Sequence, residues 1–228
     1  MSLKYRKKVW APLVAGAIFT AVALFSSPAR AQSTTVPPVR SAAWNDATTI
    51  LALSSLGLEL LMPRVFYADP EVTAGWKARW HVSVLAPIMT LATLTFVNEH
   101  HLKNSFESPL PGCDDTNKWH SSCWTYGMFS SQSFLAFSAF GQGAGVFLGD
   151  TLKWSDGRLN AGALTGHVGI PLVLAVITAV GRTSGDLETG GQVWASAGVG
   201  AVVGLGTGLV YSLMQRPECG YTGSLLCW

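Results

Sequence analysis

The chain has 228 residues, 49% of them hydrophobic and only 12% charged, with a formal net charge of +2 at pH 7. A soluble domain carries about 25% charged residues, so this composition points to a membrane protein. The small net charge, with no Lys/Arg-rich run beyond the first eight residues, argues against nucleic acid as a partner.

In chain order, residues 1–31 have the form of an export signal. Lys4, Arg6, Lys7 and Lys8 make a basic start, and Val9 to Phe25 is apolar. Ser27-Pro28-Ala29-Arg30-Ala31 then ends in the small-x-small pattern that signal peptidase cuts. Cleavage after Ala31 is the preferred reading; the alternative is an uncleaved first membrane helix, since these apolar residues nearly suffice to span. Residues 32–44 are polar and contain Pro37 and Pro38, as a linker does.

Five apolar segments come next: Ala47–Met62, Val82–Val97, Phe129–Leu152, Leu164–Val180 and Val193–Met214. They are too long for strands and too apolar for surface helices. The expected fold is an all-α, polytopic membrane helical bundle of about five spans, or six if the signal is retained. The membrane domain covers residues 45–214, and residues 215–228 form a C-terminal tail. The later segments are dense in glycine (Gly141, Gly143, Gly145, Gly149, Gly198, Gly200, Gly204, Gly206, Gly208). Small residues let membrane helices approach closely, so these glycines are expected to serve packing. A phosphate cradle is excluded for GVGAVVGLGTG, because no strand precedes it and no Lys comes after it.

Loop charges set the expected orientation. Arg64, Lys77 and Arg79 lie between the first and second spans, and Lys153 and Arg158 between the third and fourth. By the positive-inside rule these loops are cytoplasmic, so the loops 103–127 and 181–192 share the outer face of a bacterial-type inner membrane, towards the periplasm. Cys113 and Cys123 lie ten residues apart in the first of these loops and are expected to be disulfide-bonded. Cys219 and Cys227 come after the last span on the inner side and are expected to be reduced. No Cys-x-x-Cys spacing is present, which argues against zinc, and no cofactor is expected.

Three polar clusters meet membrane edges on the outer face. They are Lys103-Asn-Ser-Phe-Glu-Ser-Pro109-Leu110-Pro111, Phe129-Ser130-Ser131-Gln132-Ser133, and Gly181-Arg182 with Glu188 and Gln192. Helix N-termini beside Lys and Arg make an anion site plausible. In order, spacing and placement these clusters resemble the three motifs of the type 2 phosphatidic-acid phosphatase superfamily, the lipid phosphate phosphatases and their haloperoxidase relatives. Those motifs are Lys-x6-Arg-Pro, Pro-Ser-Gly-His and Ser-Arg-x5-His-x3-Asp.

The resemblance implies that Lys103, Ser131 and Arg182 are the retained phosphate-binding residues. It also places Leu110 where the family has Arg and Gln132 where it has Gly. Ser133 stands for the general acid, Glu188 for the nucleophilic His, and Gln192 for the orienting Asp. A serine cannot donate a proton near neutrality, and losing a general acid costs about 10²–10⁴ in rate. Glu188 brings negative charge towards an anionic phosphate. The expectation is therefore a catalytically inactive relative, binding a phosphate-bearing lipid head group or a partner protein, with a homo-oligomer also open. Two alternatives stay open: an active lipid phosphate or pyrophosphate phosphatase, and a purely structural bundle.

With Glu188 in place of the nucleophile, an ion pair with Arg182 and Lys103 is expected where relatives bind phosphate. Elsewhere, Glu99, His100 and His101 before Lys103 are read as interfacial, and His167 as snorkelling towards the inner surface. Asp46 and Glu59 are read as structural partners of basic groups on a neighbouring helix. Trp76, Trp80, Trp119, Trp124 and Trp194 are read as an interfacial belt.

Overall fold

The computed structural model describes residues 41–61, 82–106, 108–113, 128–154, 157, 159 and 161–214. The expected signal, the tail, Cys123, Cys219, Cys227 and the four tryptophans Trp76, Trp80, Trp119 and Trp124 lie outside these residues. So does the side chain of Glu59.

Among the described residues the chain is all-helical, with five rods. The first, α1, is Ala42–Leu61. Next, α2 is Val82–Val97, prolonged by a π-helical turn at Asn98–Leu102 and a last turn at Lys103–Phe106. Helix α3 is Ser131–Gly149, prolonged by a π-helical turn at Asp150–Trp154. Helix α4 runs over Ala161–Ser184, with a π-helical turn at Thr165–Gly169, and α5 is Gly190–Met214. The sequence places each rod correctly but starts the first five residues late and the fourth and fifth three residues late. Polar residues such as Asn45 and Asp46 break the apolar run without breaking the helix.

Of the five, α4 and α5 are long and apolar enough to cross a bilayer. In α1 the apolar run is diluted by Asn45, Asp46 and Glu59, and in α2 the uninterrupted α-helical stretch is only 16 residues.

Helix α3 is the hub. Nearly all of its residues are buried, and it packs along α5 most extensively, then against α4 and α1. The packing is built on two glycine series at four-residue spacing. On α5, a Cβ added at Gly200, Gly204 or Gly208 would sit 2.5, 2.0 or 2.2 Å from the carbonyl oxygen of Phe134, Ser138 or Gln142 on α3. On α3, a Cβ at Gly141 or Gly145 would sit 2.2 or 2.4 Å from the carbonyl oxygen of Ala201 or Leu205. The two backbones therefore touch, as small-xxx-small interfaces allow. Gly198 and Gly206 face open space instead, so the glycines of α5 divide into packing and non-packing sets. The rest of the core is correspondingly fine-grained, with Ala52, Ala136, Ala144, Ala175, Ala179 and Ala197 set between Leu135, Phe137, Phe140 and Val193.

The interior sets buried polar groups among this apolar core, while much of the exterior is apolar. Ser133, Ser138, Gln142, Thr178 and Ser196 are buried, whereas Ile170, Val173, Ile177 and Val180 form an exposed stripe on α4. Val199, Val202 and Val210 do the same on α5. Buried hydroxyls are accommodated by bonds to the preceding turn, as Thr178 Oγ1 donates to the Leu174 carbonyl at 2.8 Å and Ser138 Oγ to the Leu135 carbonyl at 2.9 Å.

One expectation is corrected here. His167, in the π-helical turn of α4, is buried, so it does not snorkel. Trp194 is half-buried and packs edge-on to Phe137, centroids 6.1 Å apart, beside the core.

Candidate functional site

The chain direction brings five ends together: the starts of α1, α3 and α5 and the ends of α2 and α4. Two hydrogen bonds from backbone N–H groups fix this meeting, Ser41 N donating to the Gly185 carbonyl at 3.3 Å and Ser130 N to the Ser196 side-chain Oγ at 2.7 Å. All three polar clusters that stand out in the sequence lie at this end.

The α4–α5 turn is the most tightly specified part. Leu187 N donates to the Arg182 carbonyl at 3.1 Å and Asp186 N to the Thr183 carbonyl at 3.3 Å, which is the Schellman closure of a helix. The left-handed position falls on Asp186, φ 52°, a residue type that tolerates it better than most. This turn folds Glu188 back onto Arg182. Arg182 Nε donates to Glu188 Oε2 at 3.0 Å while Nη2 lies 3.0 Å from Oε1, a bidentate pair with side chains only 8% and 1% exposed. Arg182 Nη1 donates to Asn45 Oδ1 at 2.8 Å, which ties α1 to the same turn. Gly181 and Gly185 make room for α1, since a Cβ at either would collide with Trp44.

Gln192 has a structural occupation. Thr189 and Gln192 form a capping box: Gln192 N donates to Thr189 Oγ1 at 3.3 Å and Thr189 N to Gln192 Oε1 at 2.8 Å. The Gln192 amide also donates to the Pro109 carbonyl at 2.7 Å and Ser108 Oγ at 2.9 Å, which clasps the segment 108–113 onto α5. Leu110 is buried within that segment, and Cys113 at its end is disulfide-bonded. The expected partner, Cys123, lies outside the described residues.

Ser133 is likewise structural. Ser130 caps α3, accepting from Ser133 N at 3.3 Å, and its hydroxyl donates to Ser133 Oγ at 3.1 Å. Ser133 is fully buried, with none of the access a general acid needs.

Lys103 and Ser131 do meet, through Glu99, a residue the sequence marks only as interfacial. Lys103 Nζ lies 2.8 Å from Glu99 Oε2, and Ser131 Oγ donates to the same carboxylate. The expected pairing of Lys103 with Glu188 is therefore corrected: within its own helix, Glu99 lies one turn away and takes the ammonium first. Asn98 Nδ2 donates to Ser131 Oγ and to the Phe129 carbonyl, each at 3.0 Å. Burial pushes the Glu99 carboxyl up, but hydrogen bonds from Lys103 and Ser131 and the Lys103 charge outweigh it and hold its pKa below the ordinary value. Glu99 thus stays ionised at neutral pH.

The structure therefore joins Lys103, Ser131, Arg182, Glu188, Gln192 and Ser133 in one polar end region, and adds Asn45, Asn98 and Glu99, which sequence reasoning missed as site residues. The i,i+4 spacing of Glu99 and Lys103 was the available signal. Nothing in the sequence pointed to Asn45; its neighbour Asp46, expected to pair, is exposed. His100 and His101 are exposed, and no metal-binding cluster of His, Cys, Asp or Glu occurs among the described residues.

No family model, curated protein or solved structure matches this chain. The likeness to the phosphatase superfamily rests on the three motifs alone.

Proposed function

We propose that this chain is a polytopic membrane protein similar to lipid phosphate phosphatases in the plan of its site but catalytically inactive, holding a phosphate-bearing lipid head group at the periplasmic end. The five-span reading is supported by the apolar exterior and the small-residue helix contacts, which suit lipid better than water. The inactive reading is carried by the Arg182–Glu188 pair. The carboxylate standing for the nucleophile is spent on the guanidinium that would clamp phosphate, and it is buried with it. Lys103 is similarly neutralised by Glu99, so neither cation is offered uncompensated to an anion.

This charge balance makes affinity for a phosphate monoester weak and tunable. Removing the opposing charge with Glu188→Gln is expected to tighten phosphatidic-acid binding by about tenfold, equivalent to about 1.4 kcal/mol. Lipid retention of the purified protein, monitored by native mass spectrometry, measures it. Unchanged affinity would show that Glu188 does not oppose the ligand and would sink the assignment of the third motif.

A further inference from the structure

The end of α2 holds an acceptor that neither the ion pairs nor the helix caps of this region engage. Asn98 is 1% exposed, and both hydrogens of its amide are spent on Ser131 and Phe129. Its Oδ1 is buried with no hydrogen-bond partner among the described residues, and so is Gln132 Oε1 one residue beyond Ser131. A buried carbonyl oxygen without a donor is unfavourable, so the site suits a group that brings N–H or O–H. Flipping the Asn98 amide does not help, because the Ser131 hydroxyl already donates to Glu99.

The same few residues carry one carboxylate and one ammonium. Glu99 is 48% exposed at its side chain, whereas Lys103 is 12% exposed, so the carboxylate is the accessible member of the pair. The helix departs from α-geometry here, a π-helical turn of the kind that often marks functional sites. Around it Phe96, Val97, Leu102 and Phe106 are exposed apolar side chains beside the exposed polar His100 and His101, as at a bilayer edge.

We propose that Asn98 Oδ1 and the Glu99 carboxylate form a subsite for the primary ammonium of a zwitterionic phospholipid head group, with Lys103 facing its phosphate. This rests on the membrane and head-group reading above. The chemistry selects among head groups. A purely anionic one leaves Glu99 opposing it, and a trimethylammonium has no N–H to give Asn98 Oδ1. A primary ammonium beside a phosphodiester satisfies the acceptor and keeps the pair neutral.

The test is lipid competition on the full protein in nanodiscs, with phosphatidylethanolamine, phosphatidylcholine and phosphatidylglycerol as probes, read by native mass spectrometry. Phosphatidylethanolamine is expected to be retained about tenfold over each of the others, the range of one charge-assisted hydrogen bond. Glu99→Gln is expected to abolish that preference while leaving the helical content of the reconstituted protein unchanged. A second variant, Lys103→Gln, is expected to lower retention of all phosphate-bearing lipids while phosphatidylethanolamine stays first. Competition by free phosphoethanolamine would show that the head group alone suffices; its failure to compete, with lipid selectivity intact, would place the source in the bilayer. Insertion into nanodiscs without head-group preference, or a preference indifferent to Glu99→Gln, overturns the subsite. Failure to enter the bilayer at all overturns the membrane reading instead.

Discussion

Glu188→Ala is expected to destabilise the protein by about 3–5 kcal/mol, because it strands a buried guanidinium. The two side chains are almost wholly enclosed, and Asn45 alone does not neutralise Arg182. For a chain of this size the loss corresponds to a fall in melting temperature on the order of 10 °C, measurable by thermal unfolding in detergent. The double variant Arg182→Met, Glu188→Leu is expected to recover most of it, since well-packed apolar replacements of buried pairs are often neutral. A single variant that melts within about 2 °C of the parent would contradict the pairing.

Gly204→Val is expected to cost about 3 kcal/mol or more, the upper range for overpacking, because the obstacle is backbone. The new Cβ would lie 2.0 Å from the Ser138 carbonyl oxygen and 2.8 Å from Gln142 N, so α3 and α5 must part along their length. The contrast is on the same helix: Gly198→Ala meets nothing within 4 Å and is expected to gain up to about 1 kcal/mol through helix propensity. Equal effects of the two substitutions in thermal unfolding would refute the close contact of Gly204 with the α3 backbone.

These glycines mark how far the sequence could be read. Four-residue spacing of Gly200, Gly204 and Gly208 announces a close helix contact, and apolar length announces the rods. The gathering of three polar clusters at one end comes from alternating chain direction. The Arg182–Glu188 pair was legible through the resemblance, which implies a carboxylate beside Arg182 at that offset. The hidden features depend on phase and competition. Asn98 and His167 both lie within π-helical turns, at Asn98–Leu102 and Thr165–Gly169, where the regular 3.6-residue phase does not give the buried face. The choice of Glu99 over Glu188 by Lys103 is a contest between a neighbour one turn away and a partner across the bundle, and spacing alone does not rank those. Asn45 reaches Arg182 only because Gly181 and Gly185 let α1 approach, a fact of tertiary packing.

The structural bonds of Ser133 and Gln192 also explain why restoring the family's residues at these positions is not expected to restore chemistry. Ser133 is sealed at the α3 cap, and Gln192 is committed to its capping box and to Pro109. Substituting either therefore removes a structural bond before it adds a catalytic one.

Binding without turnover at this end region is tested most directly by assaying the purified, reconstituted protein against a panel of lipid phosphates and pyrophosphates, with release of inorganic phosphate as the readout. Release indistinguishable from protein-free vesicles is expected; sustained release that Arg182→Ala abolishes would contradict an inactive site.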